Sequence, residues 1–101
     1  MVKWYKRAAE VGHASAQFNL GLCYADGSGV AVDNVAAVKW YKRAAEAGHA
    51  DAQFYLGVCY DDGSGVAVNK AEAFTWYKRA TDSGHAFALT LLNSMRERTR
   101  V

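Results

Sequence analysis

The sequence predicts an all-α fold, an α/α solenoid of about six antiparallel helices built from 36-residue repeats. Trp4, Trp40 and Trp76 stand 36 residues apart, and so do His13, His49 and His85. Residues 1–36 laid over 37–72 agree at 26 positions. A fixed period of this length marks an array in which each unit packs on its neighbours. Composition points the same way: 19 of the 101 residues are alanine, isoleucine and proline are absent, and glycine occurs nine times. A β-sandwich would draw on β-branched residues and turn prolines instead.

The same numbers exclude other classes. Charged residues are 22% with a net charge of +2, and aromatics are 13%, so the chain is not of the disordered type. No apolar run reaches the ~20 residues of a membrane span. Behind Met1-Val2-Lys3 there is no apolar signal core. Arg96, Arg98 and Arg100 carry the basic excess; without them and Glu97 the chain has nine basic and nine acidic residues. A tail of three arginines falls short of a nucleic-acid-binding stripe. Residues 1–101 are therefore expected to form one domain, with neither nucleic acid nor membrane insertion among its interactions.

Each period reads as two helices. From about 34 to 47, Ala37, Trp40, Tyr41, Ala44 and Ala45 recur at helical spacing, with Lys39, Lys42, Arg43 and Glu46 between them. Asp33 is placed to cap this helix. Asn69 does so one repeat later, with Glu72 as its capping-box partner. Gly48 supplies a left-handed stop. The turn Gly48-His49 is so short that the next helix, about 50 to 61, must run antiparallel. It carries Ala52, Leu56, Gly57 and Tyr60. Gly57 costs roughly 1 kcal/mol of helix propensity, which predicts that another backbone comes close there. Asp62-Gly63-Ser64-Gly65-Val66 then turns the chain into the next unit, with Val66 and Val68 available to pin the loop.

Ala52, Leu56-Gly57, Tyr60, Gly63, Gly65-Val66, Asn69, Ala73, Trp76-Tyr77 and Ala80, repeated from Ala16 to Ala44, resemble the Sel-1-like repeat family. This is a 36-residue branch of the tetratricopeptide-like solenoids, and the resemblance spans essentially the whole chain. It implies a right-handed superhelix. In its frame 1–12 is a partial repeat, 13–48 and 49–84 are complete repeats, and 85–101 is a C-terminal capping helix. There Leu89, Thr90, Asn93 and Met95 replace the Gln-Phe, Gly and Cys of earlier copies. A secreted subfamily joins the two helices of each repeat by disulfides; the matching positions here are Ala45 and Gln53, so that framework is absent.

The residues that could carry chemistry favour structural roles. His13, His49 and His85 sit on helices stacked ~8–10 Å apart, too far to share one zinc ion. Turn residues bonding nearby backbone is the preferred reading. Cys23 and Cys59 occupy equivalent positions in adjacent repeats, beyond the ~7 Å Cα limit for a bridge. Reduced thiols acting as apolar filler are expected, which favours a reducing, cytoplasmic compartment. Asp-Gly-Ser-Gly-Val lacks the Lys-Ser/Thr ending of a phosphate loop. Ser28 and Ser64 have no acid–base partners of triad type. Hence no catalytic residue, metal or cofactor is assigned, and the chain is not expected to be an enzyme. The Lys-Arg pairs at 6–7, 42–43 and 78–79 read as a solvated face, with Lys6–Glu10, Lys42–Glu46 and Lys78–Asp82 as i,i+4 pairs.

Function is expected on the opposite side. The resemblance implies that the first helix of each repeat lines a concave groove where protein or peptide partners lie. Its candidate residues are Ser15, Asn19, Leu22 and Asp26, then Asp51, Tyr55, Val58 and Asp62, then Phe87 and Leu91. Three of these positions vary between the complete repeats (Ser15/Asp51, Asn19/Tyr55 and Leu22/Val58), while Asp26/Asp62 and the scaffold do not. The Lys/Asn pattern by which some tetratricopeptide modules clamp a carboxylate is missing. Relatives serve as adaptors in quality control, signalling and host interaction. The alternative is structural: end-to-end self-association through an open N-terminal face formed by Val2, Tyr5 and Ala8.

Overall fold

The computed structural model describes residues 2–98, with side chains over 3–94. Six helices follow one another: α1 (Val2–Glu10), α2 (Ala14–Asp26), α3 (Asn34–Glu46), α4 (Ala50–Asp62), α5 (Lys70–Asp82) and α6 (Ala86–Arg98). Each packs chiefly on the helix before and the helix after it, giving an elongated body of 48 × 24 × 16 Å. None is long and apolar enough to cross a membrane, among the described residues. Val2, Met95, Arg96, Glu97, Arg98 and Arg100, invoked above, have side chains outside the described residues.

The helix ends follow the sequence with one exception. Asp33 accepts from the Ala36 N–H at 3.1 Å, and Asn69 from the Glu72 N–H at 3.1 Å. The reciprocal half of the Asn69–Glu72 box is replaced: the Asn69 N–H goes to the Tyr60 carbonyl at 2.9 Å, as the Asp33 N–H goes to Tyr24. That bond ties each long loop to the end of the helix preceding it. At the short turn Gly48 has φ +93, and the His49 N–H reaches back to the Ala44 carbonyl at 3.1 Å. Carbonyls of the last helical turn are satisfied in this way, since Gly48 itself bonds Ala45.

The role expected of Gly57 needs correction. A Cβ there would lie 2.7 Å from Cδ1 and Cε1 of Tyr77, so the glycine makes room for a ring rather than for a backbone. Gly21 does the same for Tyr41. The close backbone approach is at Gly65, where a Cβ would come within 2.3 Å of the Asn34 carbonyl oxygen. Val66 is half-buried and packed, whereas Val68 is 56% exposed and lies over Gly63.

Buried glutamines fasten the helix pairs. Gln17 Nε2 donates to the Ala9 carbonyl at 3.1 Å and Gln53 Nε2 to the Ala45 carbonyl at 3.0 Å. One hydrogen bond thus joins Ala45 and Gln53, the positions implied above for a disulfide in other chains. The tryptophan column is graded: Trp76 is 6% exposed, Trp40 is half-buried and Trp4 is 66% exposed. Trp76 belongs to the central core and Trp40 packs on Ala9, Ala16 and Leu20, while no described helix covers Trp4.

Candidate partner-binding groove

The short turns place a histidine at the start of each first helix. His49 Nδ1 accepts from the Ala52 N–H and His85 Nδ1 from the Ala88 N–H, each at 3.2 Å. Both rings also lie against a phenylalanine of the previous repeat. His49 stacks on Phe18 at 4.9 Å and 29°, His85 on Phe54 at 4.5 Å and 10°. An accepting Nδ1 assigns the proton to Nε2. In His85 that Nε2 meets Asp51 Oδ1 at 3.2 Å. His13 is exposed, with no side-chain cap bond. The expected backbone-bonding role therefore holds for two of the three. Among the described residues no three His, Cys, Asp or Glu side chains gather where they could hold a metal ion.

Both cysteines are free. Burial first, and the Asp62 carboxylate second, push the Cys59 thiol up to about 11. It stays a neutral filler at physiological pH and lacks thiolate reactivity.

The ten candidate groove residues do not form one continuous site. Leu22, Asp26, Tyr55 and Val58 come together with Ala25, Asn34, Ala37, Tyr41, Cys59 and Ser64 around a cleft of about 260 Å³. Its walls are α2 and α4 and its floor is α3. Tyr41 is held in the neutral form well above the ordinary phenol range, chiefly by burial, then by the nearby Cys59, Tyr55 and Asp26. Tyr55 meets Phe18, Tyr41 and Phe54 edge-on at 5.1, 5.7 and 5.7 Å, so its ring is braced on three sides. Asp62 Oδ1 accepts from the N–H and hydroxyl of Ser64, so it shapes the rim loop.

The remaining five lie apart. Ser15 and Asn19 border a second, larger cleft of about 710 Å³, with Trp4, Arg7, Glu10, Val11 and His13. Phe87 is 59% exposed and rests on Phe54 at 5.6 Å. Leu91 is half-buried against Tyr77 and Leu92, which removes most of it from a binding surface. Asp51 is occupied by His85. At the N-terminal face Tyr5 and Ala8 are half-buried on Ala9, Ala16 and Leu20, and Trp4 is the exposed ring.

On the basic helices none of the expected i,i+4 pairs closes to ion-pair distance. The guanidinium of Arg43 lies 4.9 Å over Trp40, and that of Arg79 lies 4.7 Å over Trp76. An arginine three residues along reaches the indole face, worth ~0.5–1 kcal/mol. Exposed Lys–Glu pairs return little more than the entropy they cost.

Sequence reasoning missed three features. Lys70 pairs with Asp61, which also accepts the Tyr77 hydroxyl at 3.3 Å. The first copy has Asn34 and Ala25 at those positions, so no repetition flagged the network. Phe18 and Phe54 were legible as repeated residues, but their stacking on a histidine 31 positions later was not. The Gln53–Ser83 bond, at 2.9 Å, spans a similar separation.

Comparison with known proteins agrees with the helical array. The family model described as Sel1 repeat matches residues 2–13, 14–49 and 50–85. A Sel1 repeat protein from Oxalobacter formigenes has a similar structure, with 45% identity and a TM-score of 0.88 over 90% of this chain and 37% of that one. A protective antigen of uropathogenic Escherichia coli strains, displaying an SLR fold, gives 40% identity and a TM-score of 0.95 over 97% of this chain and 21% of that one. Cysteine rich protein B of Helicobacter pylori gives 25% identity and a TM-score of 0.87, covering 90% and 68%. This chain thus spans about a third and a fifth of the first two. Among curated proteins no sequence match is found. The chain belongs to the Sel1 repeat family.

Proposed function

We propose that this chain is a non-catalytic module that binds a protein or peptide on the face where α2 and α4 meet over α3. Sel1 repeat proteins are generally protein-interaction modules, and their fold is generally a non-catalytic scaffold. One observation carries the specific reading. The cleft is walled by Leu22, Tyr55 and Val58, at positions that differ between copies otherwise alike at 26 of 36 places. A fixed frame with a varied lining is how a repeat protein acquires a particular ligand. No cofactor or metal takes part in this reading. The test is Tyr55→Ala combined with Ala25→Gln, which alters the cleft while its repeat image already tolerates the charged Asp61. Capture of a partner from native lysate should be lost with helicity unchanged; undiminished capture would sink the groove assignment.

A second reading is supported at the other end of the molecule. Exposed Trp4 beside the 710 Å³ cleft is an apolar surface suited to self-association. Sedimentation over a wide concentration range tests it. Trp4→Lys should dissociate any dimer, and a parent protein that is monomeric throughout contradicts this reading.

A further inference from the structure

We infer that the cleft between α2 and α4 takes a basic peptide segment bearing one large apolar side chain. This rests on the binding role proposed above and specifies the chemistry of the ligand.

Charge in this fold is sorted by helix. Together α2 and α4 carry Asp26, Asp51, Asp61 and Asp62, and neither contains a lysine or arginine. The lysines and arginines of α3 and α5 lie on the alternate helices of the array. The face built from α2 and α4 is therefore acidic, although the whole chain is slightly basic.

Two of these carboxylates are engaged and two remain available. Lys70 neutralises Asp61. Asp51 meets His85, whose Nδ1 is occupied as an acceptor. Asp26 and Asp62 each receive the N–H of a loop serine on Oδ1, and neither has a cationic partner among the described residues. Asp26 lines the cleft itself, and Asp62 shapes the loop whose Ser64 lines it.

The apolar part sets the anchor. Leu22, Ala37, Tyr55 and Val58 surround a space of about 260 Å³, below the ~300 Å³ lower end for small-molecule sites but ample for one large side chain. The phenol of its floor, Tyr41, and the thiol of its α4 wall, Cys59, are neutral, so neither offsets the carboxylate at its edge. An acidic peptide or a nucleic acid would bring like charge to this rim. A lysine or arginine beside the anchor meets Asp26 instead.

The probe is a random twelve-residue peptide library displayed on phage, selected against the full chain at low salt. Enriched peptides should carry net positive charge and a Trp, Phe or Leu. Asp26→Asn with Asp62→Asn preserves both Oδ1 acceptors for the loop but removes the charge, and should weaken those peptides about fivefold to tenfold. Tyr55→Ala with Ala25→Gln should weaken them too. Neutral or acidic winners that lose affinity in the Tyr55 variant overturn the charge inference and leave the groove reading standing. Cationic winners that bind the Tyr55 variant normally, or an absence of enrichment, overturn the inference at this cleft.

Discussion

The hydroxyl of Ser83 donates a 2.9 Å hydrogen bond to Gln53 Oε1, while Gln53 Nε2 holds the Ala45 carbonyl. One side chain thereby joins three helices' ends. Gln17 repeats the lower half of this arrangement on Ala9, but its Oε1 is buried without a partner. The position corresponding to Ser83 is Ala47 in the first copy, with the same backbone conformation: φ −82 and ψ 0 against φ −83 and ψ 2. Ala47→Ser should therefore satisfy Gln17 and stabilise the protein by ~1 kcal/mol, and Ser83→Ala should cost about as much or more. Thermal unfolding reads both, at ~4–8 °C per kcal/mol for a domain of this size. An unchanged midpoint for Ala47→Ser would show that Gln17 is already satisfied by water.

Glycine in mid-helix normally gains stability on replacement by alanine. Here Gly57→Ala and Gly21→Ala should do the opposite, because the new methyl meets a buried tyrosine ring. Overpacking costs ~1–3 kcal/mol, against a propensity gain of ~1 kcal/mol. Tyr77→Leu should lessen the penalty of Gly57→Ala and leave that of Gly21→Ala intact. Denaturant titration of the single and double variants separates these outcomes.

Replacing the histidines should give unequal results although all three sit in the same Gly-His-Ala turn. His49→Ala and His85→Ala each lose a helix cap, worth ~0.5–2 kcal/mol, and a ring contact worth ~0.5–1.5 kcal/mol. His13→Ala loses neither and should change stability by less than ~0.5 kcal/mol. Asparagine at 49 keeps the cap and forfeits the stack, so it should fall between. Equal losses at all three positions would contradict the role given to Phe18 and Phe54.

Alkaline conditions should weaken the fold from about pH 9 upward. Burial raises Cys59 to about 11 and holds Tyr41 and Tyr77 above the ordinary phenol range, with Asp61 adding to the shift of Tyr77. The unfolded chain gives up these protons first. The stabilisation is therefore complete below the unfolded values and is lost as pH climbs toward the folded ones. Tyr41→Phe should leave neutral stability nearly unchanged and make the alkaline decline shallower. A denaturation midpoint measured from pH 7 to 11 checks the slope, and native alkylation near pH 8 should spare Cys59.

Much of the fold was legible because its signals are local. Asp33, Asn69 and Gly48 act on backbone within three or four residues, so their caps and stop read directly from spacing. Gly57 was recognised as a close-packing point, yet its neighbour was misjudged, because backbone and ring both demand a missing Cβ. The i,i+4 lysine pairs stay open for a different reason: helical spacing permits them, but an exposed pair returns little more than the entropy it costs, and the contacts made on these helices are those of Arg43 on Trp40 and Arg79 on Trp76. Of the candidate groove, Leu22, Asp26, Tyr55 and Val58 do converge. Helical position alone could not show that Leu91 packs half-buried against the core or that Asp51 reaches His85.

By itself the sequence determined the helices, their order and the 36-residue frame, since these depend on periodicity, capping and turns inside one repeat. The tertiary structure decided how identical residues differ. Trp4 is exposed and Trp76 buried, Gln17 is half-satisfied and Gln53 fully, His13 is free and His85 clasped. In an array held by contacts between neighbouring units, what a residue does depends on the unit beside it, and that neighbour lies some thirty positions away along the chain.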